Sequence, residues 1–576
     1  MTSTTQNGLN ARTALILLTA ILALAAFMRL NQLGFPSVWI DELNHHYAAQ
    51  TYIENGKMTL PSGQPNERAY FYSVMVAWTF EILGPTSFAL RFPSALFGIF
   101  CVWLAWFIAT RFFDRVTAFY TALFVAISPF AIGWSRISRF YTLFQFLFML
   151  GVYLFYLGFE EEGKGRVAQL QNKLLDGPLQ FLKTLVRSWN INLVWIIISL
   201  PVLFFAYKIH DLTALFPIGL LFYCGMMLVV VARKKGVKQL FNSKYLWTAV
   251  CIIVGLGLAI AVLEPIREKV LHGMNYAPKW AENTRFQNRM LHIDFLFDKY
   301  HFPTGLLFFV GALLLVSRMH KAGIYALALF IAPVFLFMFV FSYGHFQYIF
   351  NVYSFFTMIA AYCFASFVSP EIKKIGQSWV GKKTNKSVVT VAVLLLFIVW
   401  LPLAPSARLA KNIPFQPDGS YNGAMYLEEW QEATQFVKKQ LRPDDLLIAS
   451  DALGVLFELG RVDYDLNFAD YDLAKVENLV RDDGTLFDLY SGAPFVTSIE
   501  QLQGLFEKHD RVWLLFQHYK LLEATVFTPK PLRDFILSNT KEMLKTENGT
   551  VLVYFYEKPI AGEQRDDLEI GQGGIH

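Results

Sequence analysis

Cysteine is nearly missing from this chain, with four in 576 residues. Cys101, Cys224, Cys251 and Cys363 lie in or beside apolar runs, with no CxxC and no paired spacing. A disulfide framework and a zinc site are therefore excluded as organising features, and all four read as small buried hydrophobes. Charge is also scarce. Charged residues make up 16%, where a soluble chain carries about 25%. Fifty Lys+Arg against 45 Asp+Glu leave a net charge of +5, too little for the basic stripe of a nucleic-acid binder. Internal repeats, low-complexity linkers and glycine-rich phosphate loops are missing too. What the chain has in abundance is apolar surface, 55% before its 36 glycines are counted. Length alone would allow roughly four soluble domains of about 150 residues. Composition rejects them in favour of a polytopic α-helical membrane protein, expected in the plasma or inner membrane.

A helix rising about 1.5 Å per residue needs some 20 residues to cross about 30 Å of hydrocarbon. Apolar stretches of that kind fall at 13–30, 92–110, 116–134, 140–159, 191–207, 212–231, 245–263, 304–317, 323–342, 349–368 and 387–403. The first ends near Ala23-Leu24-Ala25, which imitates a signal-peptide cleavage site. Only Arg12 precedes it, and many spans follow, so it reads as a retained span. Residues 70–83 (YFYSVMVAWTFEIL) are apolar but short. Left as an interfacial helix, they put Arg111/Arg115, Arg233-Lys234-Lys235, Arg318/Lys321 and Lys373-Lys374 on the cytoplasmic side, as the positive-inside bias requires. The expectation is about eleven transmembrane helices in residues 1–403, with the N-terminus cytoplasmic. Gly255 and Gly257, with part of a dinucleotide-like spacing, fall inside a span and read as helix-packing positions.

After a linker at 404–424 the composition changes. EEWQEATQFVKKQL has helical periodicity; DDLLIAS, DRVWLLFQ and TVLVYFYE read as strands; SIEQLQGLFEKH and PLRDFILSNTKEMLK read as helices between them. Residues 425–560 are thus expected to form an extracytoplasmic α/β domain, followed by a tail at 561–576. Asn548-Gly549-Thr550 matches a glycosylation acceptor but reads as a hairpin turn.

Several polar clusters fall on the outer side. Trp39-Ile40-Asp41-Glu42-Leu43-Asn44-His45-His46-Tyr47 follows the first span. Adjacent carboxylates on a helix point about 100° apart, so one can face a cavity while the other orients it; simple capping is the alternative. Arg68 leads the aromatic helix, and Arg91-Phe92-Pro93-Ser94 opens the second span. Ser135-Arg136-Ile137-Ser138-Arg139-Phe140-Tyr141 joins two spans. Read as helix, it sets Arg136 and Arg139 on one face, a seat for phosphate. The loop 264–303 and Tyr343-Gly344-His345-Phe346-Gln347-Tyr348 offer aromatic and polar mixtures that suit a headgroup or a plain amphipathic surface. His45 and His46 are adjacent and cannot both reach one metal ion from a helix.

These pieces in this order resemble the membrane-embedded glycosyltransferases of the GT-C superfold that take sugars from polyprenyl-phosphate donors. That group includes the dolichyl-phosphate-mannose protein mannosyltransferases and the bacterial aminoarabinose transferase of lipid A. The resemblance covers residues 13–160 and rests on Asp41-Glu42, Arg68, Gly84, Arg91 to Leu96 and the Ser128 to Tyr141 block. Two positions depart from it: Arg68-Ala69 stands where Lys-Pro is common, and Gln347-Tyr348 where Arg-Tyr is common. Both concern donor handling.

The resemblance implies a single inverting transfer of one sugar to an acceptor hydroxyl on the outer face. Asp41 is then the general base, with Glu42, the other residue of the catalytic pair, orienting Asp41 or the acceptor. Arg68, Arg136, Arg139 and Tyr141 hold the departing phosphate, and His45, Tyr70, Arg91, His345 and Tyr348 contact substrate. No metal and no cofactor are expected. The implied partners are a polyprenyl-phosphate-linked sugar, a glycan, lipid or protein acceptor, and the bilayer. Two rivals stay open: an oligosaccharyl transferase or polymerase on a diphosphate lipid, which would take a divalent metal through carboxylates such as Glu282 and Asp294, and a transporter or flippase.

Overall fold

The computed structural model of the protein describes residues 10–66, 68–161, 165–275, 289–297, 301–341, 343–379, 428–466, 480–481, 483–523 and 528–559. The span expected at 387–403, the linker, the tail, Glu67 and Glu282 lie outside the described residues. The chain divides into two units, Met1–Leu60 with Pro65–Tyr426 and Pro61–Gln64 with Leu427–His576.

The first unit is helical. Its opening elements are α1 (Ala11–Leu30), α2 (Ile40–Asn55), α3 (Tyr70–Leu83), α4 (Ser87–Phe112), α5 (Arg115–Ile127), α6 (Pro129–Ser135) and α7 (Tyr141–Glu160). Seven helices among the described residues are long and apolar enough to cross a membrane: α1, α4, α7, Asp211–Lys235, Lys244–Val262, Lys321–Phe339 and Phe346–Phe367. The stretch expected at 116–134 is a broken pair, α5 and α6, bent by 58°. The one at 191–207 is the helix Leu193–Ile209, joined through a 101° bend to Gln180–Ser188, and the one at 304–317 is the shorter apolar helix Phe302–Ser317. Helix α3 is also short, and it packs between α2 and α4.

The α5–α6 break follows from one residue. Pro129 has no N–H to donate back to the Val125 carbonyl, so the ladder stops there. Ser128 restarts it by capping the Ala131 N–H at 3.3 Å. The freed carbonyls lie away from water and take their donors from Arg29 at the end of α1. Its Nη2 donates to Val125 O (3.2 Å), its Nη1 to Ala126 O (3.1 Å) and its Nε to Ser135 Oγ (3.2 Å). A fully buried arginine inside a span is costly unless its donors are used, and here they tie three helices together. The close approach needs Gly98 on α4: a Cβ there would stand 2.2 Å from Ser135 Oγ and 3.0 Å from Arg29 Nε.

The cysteine expectation holds for Cys101, Cys224 and Cys363, which are buried and free; Cys251 is exposed, on a helix whose sides are largely uncovered by protein. The same helix corrects the packing reading of Gly255 and Gly257. A Cβ at either meets nothing within 4 Å.

The second unit carries a five-stranded sheet in the order β2-β1-β3-β5-β4. Its strands are β1 (Leu446–Ala449), β2 (Tyr464–Asp465), β3 (Arg511–Gln517), β4 (Lys541–Lys545) and β5 (Val551–Glu557). β1 runs parallel to β2 and β3, whereas β5 is antiparallel to β3 and β4. Strand alternation splits β3 between two cores. Val512, Leu514 and Phe516 pack with Leu502, Phe506, Leu532 and Ile536 on one face. Trp513 and Leu515 pack with Trp430, Ala433 and Val437 on the other. The segment PLRDFILSNTKEMLK is corrected by the sheet: the helix spans Lys530–Asn539, and KEMLK is β4. Five half-exposed residues show too weak a period to announce an edge strand; its partner β5 decides.

Substituting Gly98→Ala should cost about 1–3 kcal/mol of stability through overpacking and lower the melting temperature in detergent. Gly257→Ala, which meets open space, should leave it unchanged or slightly raised. Equal melting temperatures for wild type and Gly98→Ala would refute the close contact.

Candidate active site

The loop after α1 and the start of α2 are built around one buried ion pair. Arg91, near the start of α4, uses all five of its N–H donors. Nε and Nη2 donate to Glu42 Oε1 and Oε2, both at 2.8 Å. The remaining donors reach the carbonyls of Leu33 (3.0 Å), Pro36 (3.0 Å) and Ser37 (2.8 Å). Glu42 also accepts from Trp39 N (2.9 Å) and Ser138 N (2.6 Å). Both side chains have 0% exposure. The Trp39 contact is the reach-back half of a capping box, with Glu42 at the third helical position. Glu42 is therefore the carboxylate that serves the helix end, and Asp41 is not.

This geometry corrects two sequence assignments and gives Glu42 the orienting place expected of it. Glu42 and Arg91 are sealed against each other, so Arg91 spends its donors on Glu42 and the loop rather than on a substrate. Arg136 does not share a helical face with Arg139, because α6 ends at Ser135 and α7 begins at Tyr141. Instead Arg136 donates to the carbonyls of Arg29 (3.1 Å), Asn31 (2.8 Å) and Gln32 (3.3 Å), closing the C-terminal end of α1. The connection 136–140 is held open by Glu42 and by Ser94. Ser94 Oγ donates to Arg139 O (2.8 Å) and lies 2.6 Å from Tyr72 Oη, which is itself 3.1 Å from Ser138 Oγ.

Beside that frame stands a second, more open ion pair. Arg139 Nη1 is 3.0 Å from Asp41 Oδ2 and donates to Asp41 O at 3.1 Å. The Asp41 side chain is 38% exposed against 5% for Arg139. The Arg139 guanidinium packs over Trp39, Phe140 and Tyr141, with centroids 5.7, 5.5 and 5.8 Å away. Arg68, exposed at the entry to α3, packs over the same Phe140 ring at 5.6 Å. The hydroxyl of Tyr141 is buried without a hydrogen-bond partner among the described residues. Buried hydroxyls are normally satisfied, so this one is open to a ligand.

The other candidates sort around this cluster. His45 is buried behind it, its Nδ1 2.9 Å from Ser73 Oγ and its ring edge-on to Tyr72 and Phe140. Burial first, and then the charges of Arg139 and Arg68, push its imidazole well below the ordinary histidine value. Tyr70 packs edge-on against Tyr52 and Phe71. Tyr348 stacks on Phe337 and approaches His210, and His345 packs beside Tyr348. The reading of the sequence missed Arg29 and His210. The first was hidden at a span end, and the second is a lone histidine in a four-residue connection. The one signal was its sidedness, since that connection falls on the same face as Asp41. Among the described residues no group of three His, Cys, Asp or Glu is arranged to hold a metal ion.

Helix α3 starts with Ala69 at φ 51°, in the left-handed region. A proline ring fixes φ near −65° and cannot take that conformation. The Lys-Pro common in the resembling enzymes would thus need a different backbone at this point.

Comparison with known proteins agrees with this architecture. The profile of the family described as dolichyl-phosphate-mannose-protein mannosyltransferase matches residues 67–170, the stretch from the lead-in of α3 through Arg139 and past the end of α7. No curated relative matches the sequence. Among solved structures the fold is similar to ArnT from Cupriavidus metallidurans bound to undecaprenyl phosphate, with TM-score 0.55 and 13% identity, covering 96% of this chain and 100% of that one. It is similar also to the archaeal oligosaccharyltransferase AglB from Archaeoglobus fulgidus, with TM-score 0.55 and 12% identity, covering 93% and 74%. Fold and profile agree: the chain is similar in fold to these multi-pass membrane glycosyltransferases, and the stretch that the profile matches carries Arg68, Arg91 and Arg139.

Two measurements check the site's frame. Breaking a buried pair leaves an uncompensated charge, which costs about 3–5 kcal/mol. Glu42→Gln and Arg91→Gln should each lower the melting temperature strongly, and the double variant should lose less than the sum. Additive losses would mean the two do not form a unit. Separately, Ala69→Gly should be tolerated, whereas Ala69→Pro should lower both activity and melting temperature. A fully active Ala69→Pro protein would show that the left-handed residue is dispensable.

Proposed function

We propose that the protein transfers a single sugar from a polyprenyl-phosphate donor to an acceptor hydroxyl on the extracytoplasmic face, with inversion. The observation that carries the reading is the Asp41–Arg139 pair, an exposed carboxylate bridged to a guanidinium that shares an aromatic platform with Arg68. A sugar leaving a lipid phosphate develops negative charge on the phosphate oxygens, and preorganised guanidinium groups stabilise that charge. Arg139 and Arg68 supply it, and the open Tyr141 hydroxyl adds a donor. Asp41 takes the proton from the acceptor hydroxyl as its oxygen attacks the anomeric carbon. The C–O bond to phosphate breaks as the new glycosidic bond forms. Glu42 and Arg91 act through the loop they fix.

The neighbours lend support within limits. One of them was solved with undecaprenyl phosphate and the profile names a dolichyl-phosphate-mannose enzyme, so a lipid monophosphate fits both. The second unit and the loops near Asp41 would face the extracytoplasmic side, with the N-terminus inside. A diphosphate-lipid oligosaccharyl transfer is the alternative that the same fold serves, and sensitivity of transfer to a chelator separates the two.

The catalytic assignment is tested at Asp41. General-base assistance is worth about 10²–10⁴-fold, so Asp41→Asn should lower turnover by at least that order. Its melting temperature and its affinity for undecaprenyl phosphate should stay near wild type. Transfer at close to the wild-type rate by a folded Asp41→Asn protein would end the assignment.

A further inference from the structure

His210 stands in the connection between Leu193–Ile209 and the short helix Asp211–Leu215. Its ring centroid is 5.6 Å from Phe140 and 5.7 Å from Tyr141, the two rings on which Arg139 packs. From the other side it stacks on Phe144 at 5.1 Å with planes 19° apart, and Tyr348 meets it at 6.5 Å. The ring is thus fixed in place next to the cationic cluster by four aromatic neighbours.

Its protonation follows from one hydrogen bond. The Leu212 N–H donates to His210 Nδ1 at 3.1 Å, so Nδ1 is an acceptor and carries no proton. The neutral imidazole must then hold its proton on Nε2. Burial first, then Arg68, lower its pKa to about 4 against the opposing pull of Asp211, with Arg139 lowering it further. Nε2–H has no partner among the described residues. A side chain locked in one tautomer, packed on the platform of two arginines, with a spare donor, is suited to an anion that already has its charge neutralised. A neutral donor there adds a hydrogen bond without adding a third positive charge.

We propose that His210 donates its Nε2–H to a phosphate oxygen of the polyprenyl-phosphate donor. It completes a seat made with Arg139, Arg68 and the Tyr141 hydroxyl. The assignment rests on the reading of the site given above, and it adds a binding residue from a helix connection outside the stretch that the family profile matches.

Substitutions can separate the two ring nitrogens. In His210→Gln the side-chain amide N–H reaches the place of Nε2, but the Nδ1 acceptor is lost. In His210→Asn the carbonyl oxygen replaces Nδ1 and keeps the Leu212 cap, but nothing reaches Nε2. His210→Phe keeps the stack on Phe144 and removes both nitrogens. Binding of undecaprenyl phosphate to the full-length protein in detergent is the readout, with melting temperature as the check on folding. A hydrogen bond to a charged group is worth tenfold or more in affinity. His210→Asn and His210→Phe should therefore bind at least tenfold more weakly, while His210→Gln stays within a few-fold of wild type. Inorganic phosphate at equal concentration should not compete.

Wild-type binding by all three variants, equal loss by all three, or retention by Asn with loss by Gln would each overturn the assignment. Competition by inorganic phosphate at equal concentration would overturn the lipid part of it. Arg139→Ala is the control for the site itself. If Arg139→Ala binds like wild type, the phosphate seat is wrong; if it loses binding while the His210 variants keep theirs, only the histidine assignment falls.

Discussion

The ion pair between Arg91 and Glu42 is the contact on which the outer end of the helical unit depends. A fully buried charge is tolerated only when every donor and acceptor is used. Here five N–H groups and four carboxylate contacts are matched. Those contacts reach the loop after α1, the first turn of α2, the start of α4 and the connection before α7. Four segments distant in sequence are brought to one point, and Asp41 and Arg139 are carried there with them. Asp41 is placed by its neighbour.

The same logic is repeated one layer deeper. Pro129 breaks a helix in a region without water, and Arg29 and Ser128 supply the donors that the break removes. Arg136 does the corresponding work at the end of α1. The chain thus uses Arg29, Arg91 and Arg136 as scaffolding, while Arg139 and Arg68 pack on the one Phe140 ring. Charge in an apolar environment is expensive, and an irregular backbone there needs partners. Arginine, with five donors in a rigid fork, meets several carbonyls at once. An arginine near a membrane glycosyltransferase site is therefore no evidence of phosphate binding until its donors have been counted.

The exposed pair behaves differently from the sealed one. Arg139 Nη1 meets both the carboxylate and the carbonyl of Asp41, and the carboxylate stays 38% exposed. An incompletely matched pair on a rigid frame can exchange partners with a substrate. The aromatic rings of Trp39, Phe140 and Tyr141 hold the guanidinium plane without consuming its donors. His210 packs on the same rings, so donor groups from three helix connections converge on one surface.

Composition and run length were enough to read the membrane class, the positions of ten apolar helices and the α/β character of the C-terminal unit, because burial in lipid or in a sheet core is a property of local segments. Asp41, Arg68, Arg139 and Tyr141, which the structure brings together, stood out in the sequence for a related reason: they sit in short local motifs beside span ends. What the sequence could not decide was which of two adjacent carboxylates is spare, or which of two arginines three residues apart is already occupied. Helical spacing put Arg136 and Arg139 on one face. The tertiary structure breaks the helix between them, because Ser138 N donates to Glu42, 96 residues earlier in the chain. β4 was lost in a helical reading for the same reason, since an edge strand exists only through its partner. His210 carried no local signal, and its tautomer is set by a backbone N–H two residues on while its neighbours come from other helices. Local patterning fixes which segments are buried; long-range hydrogen bonds between buried charges decide which side chains remain free to act.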